Sequence, residues 1–388
     1  MYGERAQTPS ESAMESLDEQ SIPHLFRVGD TRYLAPDRAI AVIRDNPGVI
    51  PVAITQSERL LWLDIGDCPL GEWKFRFSIR NLIERVGVGN CFTTSLDLLK
   101  SEPLDLDCPV RPAGFIFHMS KCGSTLLSKV LDQSSAHIVL KEPTPFHERF
   151  WQYLTDDWQR AVEPNESNLL MIRNLLQAMG RLRLPQQTSY FVRFRSWTVA
   201  FVESIQRAFP ETPCLFMYRD PVEVMASILS KPTTGLPRLK ESGAAAFITG
   251  CTDSELDLSN RLAYFTAFYR QYLLSGLMKM NPGSRYLNYL DLTTDNLPKI
   301  LDAGFQFRPT VDTLSDMKGQ FGIYSKDDTG SRNFAPDLEE KRRLVTPAMR
   351  RASEQHLDEL YRALEAHERN LKHDLPGCRE SAVAEQEP

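Results

Sequence analysis

The chain has 388 residues, 42% hydrophobic, 25% charged and 10% aromatic, which excludes a disordered or fibrous protein. That length leaves room for about two domains. Its 45 basic and 51 acidic residues give a net charge of −6, the wrong sign for coating nucleic acid or an anionic membrane. Any anion it binds must be held by local groups.

Residues 1–22 are rich in Ser, Glu and Gln without apolar periodicity and read as a disordered tail, as do 373–388. The polar, acidic start and the lack of a run of about 18 apolar residues predict a cytoplasmic protein, neither secreted nor inserted in a membrane. Seven cysteines, scattered and never spaced CxxC, disfavour a disulfide framework and a zinc site.

Residues 23–108 read as a small α+β domain without an assignable role. FRVGDTRYLAP suggests a strand or hairpin, Arg38 to Arg44 a short helix and ERLLWLDIG a strand. Glu72 to Val86 fits either a helix or, over Trp73 to Phe77, an alternating strand. Trp62 and Trp73 are taken as exposed. The Pro-rich, acidic stretch 101–114 is the best boundary.

Over 109–372 strand and helix alternate. Gly114 to His118 is an apolar run that enters a Gly/Ser/Thr turn, and Thr125 to Asp132 is amphipathic. HIVLKEP (137–143) is a second strand, and helix is expected from Glu166 to Leu184. SYFVRFRSW (189–197) is a third strand, then helix over 198–208, then PCLFMYR (213–219) and a helix from Pro221. SRYLNYLDL (284–292) is another strand, and Thr346 to Asn370 is helical. This alternation predicts an α/β domain with a mostly parallel central sheet flanked by helices, plus the small N-terminal α+β appendage.

The strongest local signal is His118-Met119-Ser120-Lys121-Cys122-Gly123-Ser124-Thr125-Leu126-Leu127, between a strand and a helix. A loop so placed aims backbone N–H groups and the helix dipole at one point, where an anion is stabilised. Gly123 permits close approach, Ser124 and Thr125 add hydroxyls, and Lys121 adds a charge. A plain helix N-cap would use the same residue types. A nucleoside-triphosphate loop would need Gly at His118 and Lys after Gly123. A C-x5-R phosphatase loop would need Arg at Ser128, and no G-x-G-x-x-G is present.

The second signal is Arg219-Asp220-Pro221 with Ser227, again where a strand runs into a helix. Pro221 suits the first helical turn, and Arg219 and Ser227 could meet at one anion; a capped turn with a local ion pair would look the same.

Together the two segments resemble the sulfotransferase family that uses 3′-phosphoadenosine 5′-phosphosulfate. The family's Lys/Arg-x-Gly-[Ser/Thr]-Thr loop is matched by Lys121-Cys122-Gly123-Ser124-Thr125, and its Arg-[Asn/Asp]-Pro with a later Ser by Arg219-Asp220-Pro221 and Ser227. The likeness runs from about residue 112 to 365. It includes Tyr289-Leu290-Asp291-Leu292 and a late helix with Leu360-Tyr361, and leaves out the N-terminal quarter.

The resemblance implies a P-loop-type sulfotransferase fold and transfer of a sulfuryl group to a hydroxyl, less readily an amine. Lys121 would stabilise charge developing on the oxygen between sulfur and the 5′-phosphate; Lys121, Cys122, Gly123, Ser124, Thr125 and Leu126 would bind the phosphosulfate. Arg219 and Ser227 would bind the 3′-phosphate. No metal is expected. Cytosolic members take the acceptor proton with a His absent from Arg193-Phe194-Arg195-Ser196-Trp197. Carbohydrate and tyrosyl-protein members use a Glu beyond the second strand, matched by Glu142 in Lys141-Glu142-Pro143. Glu142 is thus the expected base, with an ion pair to Lys141 or Arg195 as the structural alternative and His118 and His147 in reserve.

Arg193 and Arg195 could hold the donor or an acidic acceptor. Lys326 or Arg332, in the loop 324–334, would close over the nucleotide, with Arg332 taken into the donor site; the stretch 231–254 could form a lid over the acceptor. The acidic charge points to a small neutral acceptor rather than a polyanion, with no nucleic acid or membrane partner. A homodimer or a partner protein through the N-terminal domain stays open. The rival readings are a kinase-like phosphoryl transferase and a non-catalytic nucleotide-binding protein.

Overall fold

The computed structural model describes residues 31–87, 90–101, 110–230, 239–327, 331–333 and 338–375. Most of both expected tails, residues 102–109 of the expected boundary and 231–238 of the expected lid lie outside these.

The N-terminal unit opens with helix α1 (Pro36–Asp45), where Pro36 needs no N–H partner in the first turn. Strands β1 (Val49–Ile54), β2 (Arg59–Asp64) and β3 (Cys91–Ser95) form an antiparallel sheet in that order. β1 is buried along its whole length and shifts register between Pro51 and Ala53. A strand buried on both faces shows no apolar/polar alternation, and Pro51 interrupts the apolar run that would otherwise mark β1. Trp62 and Trp73 are buried, contrary to expectation, at 0% and 6% exposure. Trp62 stacks on Phe92 and donates its indole N–H to Thr94 Oγ1 at 3.0 Å. The ambiguous segment after Glu72 is helix α2 (Phe75–Val86), closed by Gly87 at φ 78° whose N–H reaches Ile83 O.

The larger unit holds β4 (Pro112–His118), α3 (Ser124–Leu131), β5 (His137–Lys141), α4 (Glu148–Leu154), α5 (Glu166–Met179) and β6 (Ser189–Arg193). It continues with α6 (Val202–Ala208), β7 (Cys214–Tyr218), α7 (Pro221–Leu229), α8 (Ala244–Thr249), α9 (Arg261–Lys279) and β8 (Arg285–Asn288). Helices α10 (Leu297–Phe305), α11 (Val311–Gly319), α12 (Leu338–Arg343), α13 (Pro347–His356) and α14 (Asp358–Ala366) complete it.

The five strands β4–β8 are parallel, in the order β5-β6-β4-β7-β8, so the α/β sheet flanked by helices expected from the sequence is present. From β4 the chain crosses to the edge strand β5, fills the gap with β6, and then moves to β7 and β8 on the other side. The C-terminal ends of β4 and β7 therefore flank a topological switch point, where open parallel sheets leave a crevice for ligands. Both signals found in the sequence lie there: the 121–125 loop follows β4, and Arg219 follows β7.

Some boundaries differ from those expected. The strand over 284–292 stops at Asn288, whose side chain caps a 3₁₀ turn (Tyr289–Asp291) by accepting from Leu290 N. The helix over 198–208 begins as a 3₁₀ stretch (Ser196–Phe201). The helix over 166–184 stops at Gly180, where an added Cβ would lie 2.5 Å from the Tyr190 ring. The two units share one buried hydrophobic cluster, from Leu34 through Trp62 to Phe117 and Tyr286.

Candidate active site

β4 ends at His118, and the backbone then turns sharply. Lys121 has φ 66° and Gly123 φ 80°, left-handed conformations on either side of Cys122, which direct consecutive N–H groups toward one concavity. Gly123 is the N-cap of α3 and has no side chain to satisfy the first-turn amides, which stay available to an anion. Gly123 is doubly required, because a Cβ there would stand 2.8 Å from Tyr289 Cδ2. Cys122 is buried; its thiol donates to Met119 O at 2.6 Å, and burial pushes it up to about 12, so it is an inert backbone position. Ser124 is buried at the helix start, Leu126 is half-buried against the core, and Thr125 Oγ1 accepts from Arg193 Nη1 at 2.6 Å.

On the β7 side, Asp220 Oδ1 accepts from Glu223 N at 3.0 Å and so caps α7. Arg219 is buried and its Nε meets Glu223 Oε2 at 2.8 Å, the local ion pair foreseen as the alternative reading. It does more than that. Arg219 Nη1 donates to Lys121 O at 3.2 Å, and its guanidinium lies 4.2 Å from the centre of the Tyr289 ring. Tyr289 therefore touches both signals, pressing on Gly123 and stacking on Arg219. Ser227 is buried one turn beyond Glu223, on the same side of α7.

A late cation that reaches this corner is Arg342 of α12, whose Nε is 3.7 Å from Glu223 Oε1. Arg332 is exposed; its guanidinium lies over the Tyr324 ring and its N–H donates to Asp327 Oδ2. Lys326 lies over the Trp73 ring at 5.2 Å.

Glu142 follows β5 with φ 55°, so both expected catalytic residues hold a left-handed backbone that costs a non-glycine residue about 1–3 kcal/mol. Its carboxylate sits among three cations: Lys74 Nζ at 3.4 Å, Arg193 Nη2 at 3.4 Å and Arg195 Nε at 3.7 Å. Burial raises its pKa, but Lys74 and Arg193 outweigh that and hold the carboxyl far below the usual range. Lys141, the other suggested partner, instead meets Asp132 Oδ2 at 2.6 Å and Leu70 O at 2.7 Å. Burial pushes His118 down to about 4 and His147 down to about 3, so both rings are neutral at pH 7.

These histidines set the acid limit of stability. Since both values lie below the ordinary 6.5, the unfolded chain takes up protons first as pH falls. Stability is complete above about pH 6.5 and is lost progressively toward pH 4, by up to about 1.4 kcal/mol per pH unit for each ring. Glu142, also depressed, adds stability that is complete above the ordinary carboxylate range and is lost progressively as pH falls below it. Chemical denaturation from pH 8 to pH 4 is expected to show this decline, flattened by His118→Asn. A curve level down to pH 5 would contradict it.

No family model matches the chain, and no curated protein matches it in sequence. It is similar in structure to bacterial sulfotransferases. One from Alicyclobacillus acidocaldarius has 18% identity and a TM-score of 0.32, covering 66% of this chain and 98% of that one. The sulfotransferase domain of the curacin biosynthetic pathway has 16% identity and a TM-score of 0.36, covering 64% and 98%. One from Mycobacterium avium has 14% identity and a TM-score of 0.35, covering 66% and 78%. What the site can do is read from its own residues.

Four of those residues carried no signal in the sequence: Lys74, Trp73, Tyr289 as a stacking group, and Arg342. Each depends on a long-range contact. Among the described residues no cluster of His, Cys, Asp and Glu could hold a metal ion, and no helix is long and apolar enough to cross a membrane.

Proposed function

We propose that this protein is a sulfotransferase that moves a sulfuryl group from 3′-phosphoadenosine 5′-phosphosulfate to a hydroxyl group of a small acceptor. The observation that carries the reading is the hydrogen bond from Arg219 Nη1 to Lys121 O, which joins two anion-binding segments 98 positions apart at the switch point of the sheet. A single 5′-phosphate needs only one such segment. A nucleotide with anions at both the 5′ and 3′ ends uses both.

In this reading the α3 amides, Lys121 and Thr125 hold the phosphosulfate, while Arg219, Ser227 and Arg342 hold the 3′-phosphate. The acceptor oxygen attacks sulfur, and the bond from sulfur to the 5′-phosphate oxygen breaks. The electron pair stays on that oxygen, beside the Lys121 ammonium, which stabilises the charge where it develops. The acceptor proton passes to Glu142. Held by three cations Glu142 is a weak base, and an anionic sulfuryl group competing for Arg193 restores its basicity.

Purified protein given the donor and a library of alcohols, phenols and amines is expected to add a sulfuryl mass to some acceptors. Glu142→Gln should keep thermal stabilisation by adenosine 3′,5′-bisphosphate yet lose turnover. Undiminished turnover in that variant would eliminate Glu142 as the base.

A further inference from the structure

The strap of residues 70–74, which joins β2 to α2, crosses from the N-terminal unit onto the C-terminal ends of the parallel strands. Three of its backbone carbonyls receive cations from three different places. Leu70 O accepts from Lys141 Nζ at 2.7 Å, Gly71 O from Lys129 Nζ at 2.7 Å and Trp73 O from Arg193 Nη2 at 2.8 Å. Those cations stand at the end of β5, on α3 and at the end of β6. The strap then delivers Lys74 Nζ to Glu142 Oε2.

Arg193 shows what this achieves. Its guanidinium is buried and gripped on two sides, by Thr125 Oγ1 of the anion loop and by the Trp73 carbonyl. Glu142 is gripped likewise, by Arg193 and Arg195 from the sheet and by Lys74 from the strap. The Trp73 ring carries two ammonium groups, Lys74 at 4.6 Å and Lys326 of the late segment at 5.2 Å. One residue pair of the N-terminal unit thus links the anion loop, the expected base and the segment expected to close over the nucleotide.

We propose that the N-terminal unit is a working part of the catalytic site, with Lys74 and Trp73 as positioning residues for sulfuryl transfer. Lys74 fixes the Glu142 carboxylate on the acceptor side of the donor loop. Trp73 supplies the platform that seats Lys326. The inference rests on the sulfotransferase reading and adds to it a role for the N-terminal quarter, which the family motifs do not reach.

The test compares wild type with Lys74→Met, Lys74→Arg and Trp73→Phe, following release of adenosine 3′,5′-bisphosphate from the donor in the presence of the acceptor library. Lys74→Met is expected to lower kcat by about 10²-fold, the scale of loss when a reacting group is misplaced by about 1 Å. The KM for the donor should change less than threefold, roughly, because the donor loop is untouched.

The pH profile separates positioning from mere support. Glu142 is faced by Lys74, Arg193, Arg195, His118 and His147, and losing the Lys74 charge moves the acid limb of kcat upward in pH. Lys74→Arg should restore both the rate and the limb. Trp73→Phe keeps the backbone carbonyl, so Arg193 stays placed and only the seat for Lys326 weakens.

A Lys74→Met enzyme that is folded, with kcat and acid limb unchanged, would overturn the proposal. So would a loss of rate that Lys74→Arg does not rescue at unaltered melting temperature. If wild type binds no adenosine 3′,5′-bisphosphate and transfers to no acceptor, the sulfotransferase reading falls and this proposal with it.

Discussion

Replacing Lys121 by alanine is expected to lower turnover by about 10²–10³, the typical cost of removing one group that stabilises transition-state charge. The backbone makes this a selective experiment. Arg219 bonds the carbonyl of Lys121 rather than its side chain, so the bridge between the two loops survives the substitution. Alanine carries the same penalty at φ 66° as lysine, so folding is little changed. Lys121→Gly relieves that penalty and serves as a control: if the ammonium matters, glycine is as inactive as alanine although its backbone is unstrained. Turnover of Lys121→Ala within tenfold of wild type, with binding intact, would remove Lys121 from the chemistry.

Replacing Arg219 by methionine is expected to affect both stability and binding. Arg219 is 3% exposed, and its guanidinium meets Glu223, the Lys121 carbonyl and the Tyr289 ring. Its loss leaves the buried Glu223 carboxylate with Arg342 at 3.7 Å, from a side chain that is 62% exposed. Breaking a buried pair in this way costs about 3–5 kcal/mol. The double variant Arg219→Met/Glu223→Gln removes the orphaned charge and should regain most of that stability. It should not regain affinity for adenosine 3′,5′-bisphosphate. Wild-type affinity in the double variant would reduce Arg219 to a structural role, as the ion-pair partner of Glu223.

The parallel sheet and the two segments beside its switch point were legible because their signals are local. Each strand of the large unit carries a short apolar run, and 118–127 and 219–227 each hold their chemistry-bearing residues within ten positions. The surroundings of Glu142 were not legible. Arg195 could be suspected from strand alternation, but Lys74 lies in a segment that itself read equally as helix or strand, in a unit with no assigned role. Arg342 carried no signal because the end of a short charged helix does not resemble an anion clamp, whereas the polar loop that holds Arg332 does. Trp73 was misjudged as exposed, since its burial depends on a strap that only the tertiary fold brings to the ends of β5 and β6. Strand β1 escaped notice because Pro51 interrupts its apolar run, and β3 because Cys91-Phe92-Thr93-Thr94-Ser95 is too polar to stand out as one.

Titration calorimetry with adenosine 3′,5′-bisphosphate in the absence of magnesium tests the joined site most directly. One tight site is predicted, weakened at least tenfold, roughly, when either the phosphate on the 3′-oxygen is omitted or Arg219 is replaced. Failure to bind the bisphosphate, or tighter binding of ATP that requires magnesium, would contradict a phosphosulfate site and return the fold to the phosphoryl transferases.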